Sequence, residues 1–90
     1  MITNAITAII TAYVATGQPC ANGRMPSLDH TIAAPRWIPL GSIVIIEGRR
    51  YVVEDRTNIR YNGRYDLFMS NHQTALQWGK QCLTITVITP

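Results

Sequence analysis

Two carboxylates stand out by where they fall. Residues 52–68 read VVEDRTNIRYNGRYDLF: an apolar run closes on Glu54-Asp55, a polar loop follows, and a second apolar run carries Asp66. Aspartate is disfavoured in strands, yet each aspartate interrupts or ends a stretch otherwise patterned as one. A chain that needed only a core would have no use for such breaches, so they are where function is expected. The two acids lie 11 positions apart across a loop containing Asn62-Gly63. If the flanking strands fold back on one another, both carboxyls reach one rim of a sheet or barrel, as acid/base chemistry requires. The plainer explanation is that both cap turns or pair with Arg56, Arg60 or Arg64.

The elements that must position these acids are short and mostly extended. Residues 6–14 (ITAIITAYV) are rich in β-branched side chains and read as a strand with both faces partly buried. Residues 15–30 turn to Gly, Pro, Asn, Ser and Asp, a loop long enough to be functional or tied down, with Cys20 in its middle as a tie. Residues 31–34 are a short strand stopped by Pro35. The runs 43–47 and 50–54 flank Gly48-Arg49, a pair suited to a tight hairpin turn. Residues 64–68 and 83–88 are two more strands. Between them lies one short helix, which Ser70 or Asn71 can cap and Gly79 can end. Several short strands with one helix and no repeat predict a mainly all-β fold, a small closed β-barrel, with a β-sandwich as the rival.

Ninety residues make one domain, residues 1–90, too small for two cores. At 47% hydrophobic and 14% charged, the chain is globular. A net charge of +3 favours an anionic partner, a wall polymer or a nucleic acid, without specifying either. The arginines are scattered, with no basic stripe interleaved with aromatics, so nucleic acid is the least favoured partner. No apolar stretch approaches the roughly 20 residues of a membrane span. The apolar start, MITNAITAIITAYV, lacks a basic flank and is broken by threonines, so it reads as a strand and not as a signal peptide. Cys20 and Cys82 have no CxxC or His-rich spacing around them, which argues against a metal site. They are either two buried thiols or one disulfide, with a lean to the bridge, which would constrain the unfolded chain by roughly 4 kcal/mol. No cofactor is implied.

Taken in order, Thr11-Ala12-Tyr13, Ile32-Ala33-Ala34-Pro35, Ile38-Pro39-Leu40-Gly41-Ser42, Val53-Glu54-Asp55, Asn62-Gly63, Asp66-Leu67-Phe68, Ser70-Asn71-His72, Ala75-Leu76 and Trp78-Gly79 resemble the three-aspartate ("3D") domain. That family occurs in bacterial cell-wall proteins, in phage proteins and at the C-terminal end of one class of lytic transglycosylases. The resemblance covers about residues 11–87 and implies a six-stranded double-psi β-barrel acting on peptidoglycan glycan strands. It implies that Asp66 is the acid/base and that Asp55 orients or tunes it. It also places Thr11 near a polar position lining the same groove. Two departures are visible. Ala34 stands where the family's first aspartate often precedes the proline, and Arg56-Thr57-Asn58 replace a Gly pair common after the second aspartate.

The implied chemistry is glycosidic cleavage, which needs a proton donor at the leaving oxygen. A lytic transglycosylase uses one residue as acid and then as base, because the muramyl 6-hydroxyl replaces water. Asp66 must then hold a proton, which burial or an ionised Asp55 nearby favours. Tyr13 and Tyr65, next to functional positions, are groove candidates, with Asn58 and His72 as further substrate contacts. For His72, capping or packing is a better reading than catalysis. Asp29-His30 reads as surface loop, Tyr51 as packing, and Trp37 and Trp78 as core rather than sugar platforms. The rivals to an enzyme are a module that grips glycan without cutting, which the missing Gly pair favours, and a structural component, for instance of a phage virion. A wall substrate implies work in the cell wall, periplasm or extracellular space.

Overall fold

The computed structural model describes residues 1–61 and 63–90; Asn62, half of the Asn62-Gly63 pair, lies outside the described residues. Among the described residues there are six strands: β1 (Ile2–Tyr13), β2 (Thr31–Ala34), β3 (Ile43–Ile46), β4 (Arg49–Arg56), β5 (Tyr65–Phe68) and β6 (Gln81–Thr89). They close into one barrel in the order β1-β5-β2-β4-β3-β6, with β6 pairing back onto β1. The β1/β5 and β2/β4 pairs are parallel and the rest antiparallel. A closed six-stranded barrel of this kind is consistent with a double-psi barrel. The interior is filled by Ile10, Ile32, Val44, Val53, Tyr65 and Ile85, all essentially inaccessible, in keeping with the β-branched residues that dominate these strands.

The local signals resolve as follows. The helix α1 (His72–Trp78) is capped by Asn71, whose Oδ1 accepts from the Thr74 amide at 2.8 Å, and it ends at Gly79 with φ +66°. The β3–β4 hairpin turns one residue earlier than expected, on Glu47-Gly48, with Ile46 opposite Arg49. Both turn residues have positive φ, +51° and +81°. Such a turn matches the right-handed twist of its strands when both central residues are left-handed, so Gly takes the second place and Glu47 the first. A single 3-10 turn (Ile59–Tyr61) lies in the loop before β5.

Two expectations are corrected. The cysteines are both free: Cys20 is buried in the long loop, whereas Cys82 is exposed on β6 opposite Ile9. The tie expected of Cys20 is made by hydrogen bonds instead. Trp37 is not core but 64% exposed, on the turn between β2 and β3. Trp78 is half-buried, its indole N–H donating to the Ile10 carbonyl at 3.1 Å, and Tyr51 is buried. Among the described residues, no helix is long and apolar enough to cross a membrane.

One irregularity places the acids. Ile32 of β2 lies opposite Val53 of β4, but the next residue, Ala33, lies opposite Asp55. Glu54 is therefore an extra residue, a β-bulge. Simple alternation would put Asp55 on the same face as buried Val53; the added residue re-aims it, as bulges do.

Candidate active site

The bulge sets Asp55 into a row that crosses four neighbouring strands. Thr11 of β1 is opposite Asp66 of β5, Asp66 is opposite Ala33 of β2, and Ala33 is opposite Asp55 of β4. Two strand spacings separate the aspartates, so their Cα atoms are about 10 Å apart. Alternation in β5 sends Tyr65 and Leu67 into the core and turns Asp66 to the opposite, outer face.

Asp66 is partly buried and accepts from the Thr11 hydroxyl at 3.2 Å; that hydroxyl also lies 3.4 Å from the Tyr65 carbonyl. Burial pushes the Asp66 carboxyl up, the Thr11 hydrogen bond pulls it down, and the charge of Asp55 pushes it up again; the net direction is upward. Two of the nearby arginines are engaged elsewhere. Arg56 donates to the carbonyls of Pro35 and Ile38, and the Arg64 guanidinium lies 4.8 Å from the Tyr61 ring centre. The ion pairs His30–Glu54 and Arg49–Asp29 involve neither aspartate of the row.

Asp55 is engaged differently. Its Oδ1 accepts from the backbone amides of Ala21 at 3.0 Å and Arg56 at 2.9 Å. Tyr13 ends β1 with its ring edge-on to Phe68, centroids 5.5 Å apart. Its hydroxyl is buried and pushed well up, first by burial and then by Asp55, Cys20 and Asp66. The hydroxyl thus senses both carboxylates and the thiol. The Cys20 thiol is itself raised to about 11, by burial and then by Asp55 and Glu54. That leaves it protonated and inert near neutral pH.

The fold thus brings Thr11, Tyr13, Asp55 and Asp66 together. His72, exposed at the start of α1, shares a cleft of about 390 Å³ with Tyr13, Thr16 and Leu76. Two groove candidates lie elsewhere. Tyr65 is 1% exposed and offers a polymer no surface, because its strand position points into the barrel. Asn58 is exposed, but its Oδ1 accepts from the Arg60 amide and shapes the following turn. A larger, mostly apolar hollow of about 530 Å³ involves Tyr51, Leu67, Met69 and Trp78; neither hollow is lined by the aspartates themselves. Among the described residues no group of three or more His, Cys, Asp or Glu could hold a metal ion.

Sequence reasoning missed Cys20 and Glu54 as members of this neighbourhood. Glu54 is 5% exposed, accepting from the Thr31 hydroxyl at 2.7 Å and the Asn22 side-chain amide at 3.0 Å. The available signal was two consecutive acids at the end of a strand, which a two-residue alternation cannot satisfy on one face.

The family model described as the 3D domain matches residues 30–89, two thirds of the chain. The chain belongs to the 3D-domain family. The matched span holds both aspartates, the bulge and α1; β1 with Thr11 and Tyr13, and Cys20 in the loop after it, precede the span. The 3D domain is associated with lytic transglycosylase-like proteins and a peptidoglycan context. No curated protein matches the chain closely enough to count as a relative.

Proposed function

We propose that this 3D domain cleaves the glycan strands of peptidoglycan by lytic transglycosylation at the bond between muramyl and glucosaminyl residues, with Asp66 as its single acid and base. The observation that carries the reading is the state of Asp66: a half-buried carboxyl that accepts from the neutral Thr11 hydroxyl, with another carboxylate in its row. Such a group keeps its proton further up the pH scale than a solvated carboxyl does, as a general acid requires.

In the first step Asp66 protonates the glycosidic oxygen as the C1–O bond breaks, and charge develops on the muramyl ring. The resulting Asp66 carboxylate then takes the proton of the same sugar's 6-hydroxyl as that oxygen bonds to C1. The products are a 1,6-anhydro end and a free 4-hydroxyl, and Asp66 regains its proton. Thr11 orients the carboxyl in both steps. The working location that fits this substrate is the cell wall, periplasm or extracellular space, in a wall-protein or phage setting.

A second reading, glycan binding without cleavage, is favoured by one observation: neither hollow is lined by the two aspartates. One experiment separates the two. Purified protein is incubated with sacculi, and anhydro-muropeptides are sought by mass spectrometry, with Asp66→Asn in parallel. Product that vanishes in the variant supports cleavage; retention on sacculi without product supports binding alone.

A further inference from the structure

The loop of residues 15–30 is exposed along most of its length, yet Cys20 within it is 5% exposed. Its middle is compact in its own right. The Cys20 amide donates to the Arg24 carbonyl at 2.7 Å, the Gly23 amide to the Cys20 carbonyl at 2.9 Å, and the Arg24 amide to the Asn22 side chain at 2.9 Å. This small knot is attached to the barrel through the two acids of the bulge. Ala21 N–H donates to Asp55 Oδ1, Asn22 N–H to the Glu54 carbonyl at 3.1 Å, and Asn22 Nδ2 to Glu54 Oε2. Glu54 is in turn fixed from the far end of the loop by the Thr31 hydroxyl and, at 3.5 Å, by His30.

We propose that Asp55 is a positioning residue: with Glu54 it clamps residues 20–22 of the long loop against the β4 end of the acid row. This rests on Asp66 being the acid, and it gives Asp55 a task apart from supplying charge. The groups Asp55 holds are backbone N–H donors, which need an acceptor oxygen and not a negative charge. An asparagine oxygen can serve them. A methyl group cannot, and it would leave the Ala21 amide unpaired.

The clamp is testable without turnover, because its release uncovers Cys20. In a Cys82→Ser background Cys20 is the remaining thiol, and its reaction with an aromatic disulfide reagent reports loop opening. The expected result is slow labelling of the parent, of Asp55→Asn and of Asp66→Asn. Asp55→Ala should label about tenfold faster or more, with the barrel intact by far-UV circular dichroism. Anhydro-muropeptide release should fall in Asp55→Ala and recover well above that level in Asp55→Asn. A folded Asp55→Ala protein that labels as slowly as its parent, or an Asp55→Asn protein that labels as fast as Asp55→Ala, overturns the proposal. If Asp55→Ala does not fold, Asn22→Ala decides, since it removes only the side-chain bond to Glu54: faster labelling supports the clamp and unchanged labelling overturns it. Should the parent release no anhydro-muropeptide, the cleavage reading fails, and labelling still reports on the clamp.

Discussion

Two acidic neighbourhoods stand side by side on this barrel, and they are built for opposite ends. On β5, Asp66 is half-buried and accepts from the Thr11 hydroxyl, and burial with the charge of Asp55 makes its surroundings favour the neutral carboxyl. On the β4 bulge the acids hold several donors: two backbone amides on Asp55 Oδ1, and the Thr31 and Asn22 side chains on Glu54. Burial pushes Glu54 up, but hydrogen bonds from Thr31 and Asn22, with His30 and Arg24 nearby, overcome it and hold the carboxyl below the usual carboxylate range. Burial pushes both carboxyls up, and the donors then separate them: the one with few is free to exchange a proton, and those with several tie chain to chain.

The hardest test of that contrast is to remove the proton of Asp66. Asp66→Asn should lower anhydro-muropeptide release by about 10²-fold or more, the scale of general acid catalysis, while leaving the circular dichroism unchanged. Retained activity would move the acid to another residue.

Glu54→Ala should instead act on stability. It leaves the inaccessible Thr31 hydroxyl without its acceptor, and denaturant unfolding should show a loss of about 2–3 kcal/mol. The sign with pH is set by the lowered carboxyl. Glu54 stabilises the fold above its unfolded-state pKa, and that contribution is lost as pH falls through its folded-state value. Glu54→Gln should therefore flatten the acid side of a stability–pH curve.

Two finer substitutions should move the alkaline limb of the activity–pH profile in opposite directions. Thr11→Val removes the bond that lowers Asp66, so the limb shifts to higher pH. Asp55→Asn removes the charge that raises it, so the limb shifts to lower pH. Parallel shifts would mean that Asp66 is not the titrating acid. Smallest of all, Asp66→Asn should raise the melting temperature slightly at neutral pH. A carboxyl whose folded pKa is raised destabilises the fold increasingly as pH climbs past its unfolded value, and an amide carries no such penalty.

Much of the fold was legible in the sequence, because the signals were local. Asn71 and Gly79 bound the helix as their cap chemistry requires, and the β-branched runs all became strands. The convergence of Asp55 and Asp66 could be anticipated from two strands joined by a loop, but its mechanism could not. Period-2 alternation from Val53 assigns Asp55 to the core face, and only the inserted Glu54 turns it outward. Cys20 and Cys82 were misjudged because spacing along the chain says nothing about which face a residue occupies. Tyr65 was misplaced for a related reason: adjacency to Asp66 in a strand guarantees the opposite face. Trp37 carries no local mark of exposure; its position follows from the turn that Arg56 holds through the Pro35 and Ile38 carbonyls.

The pairing of β1 with β6 has a consequence in time. Ile2 meets Thr89, so the ring is sealed by the two strands of the barrel that lie farthest apart along the chain, and β6 is also the neighbour of β3. Until the ribosome has released residues 81–89, the nascent chain has no partner for the whole of one side of β1 and a gap beside β3. Proteins dominated by such distant pairings fold in about milliseconds to seconds rather than microseconds. During that interval the threonine- and isoleucine-rich first strand stands uncovered, which makes the newborn polypeptide, rather than the finished barrel, the form most in need of protection from aggregation.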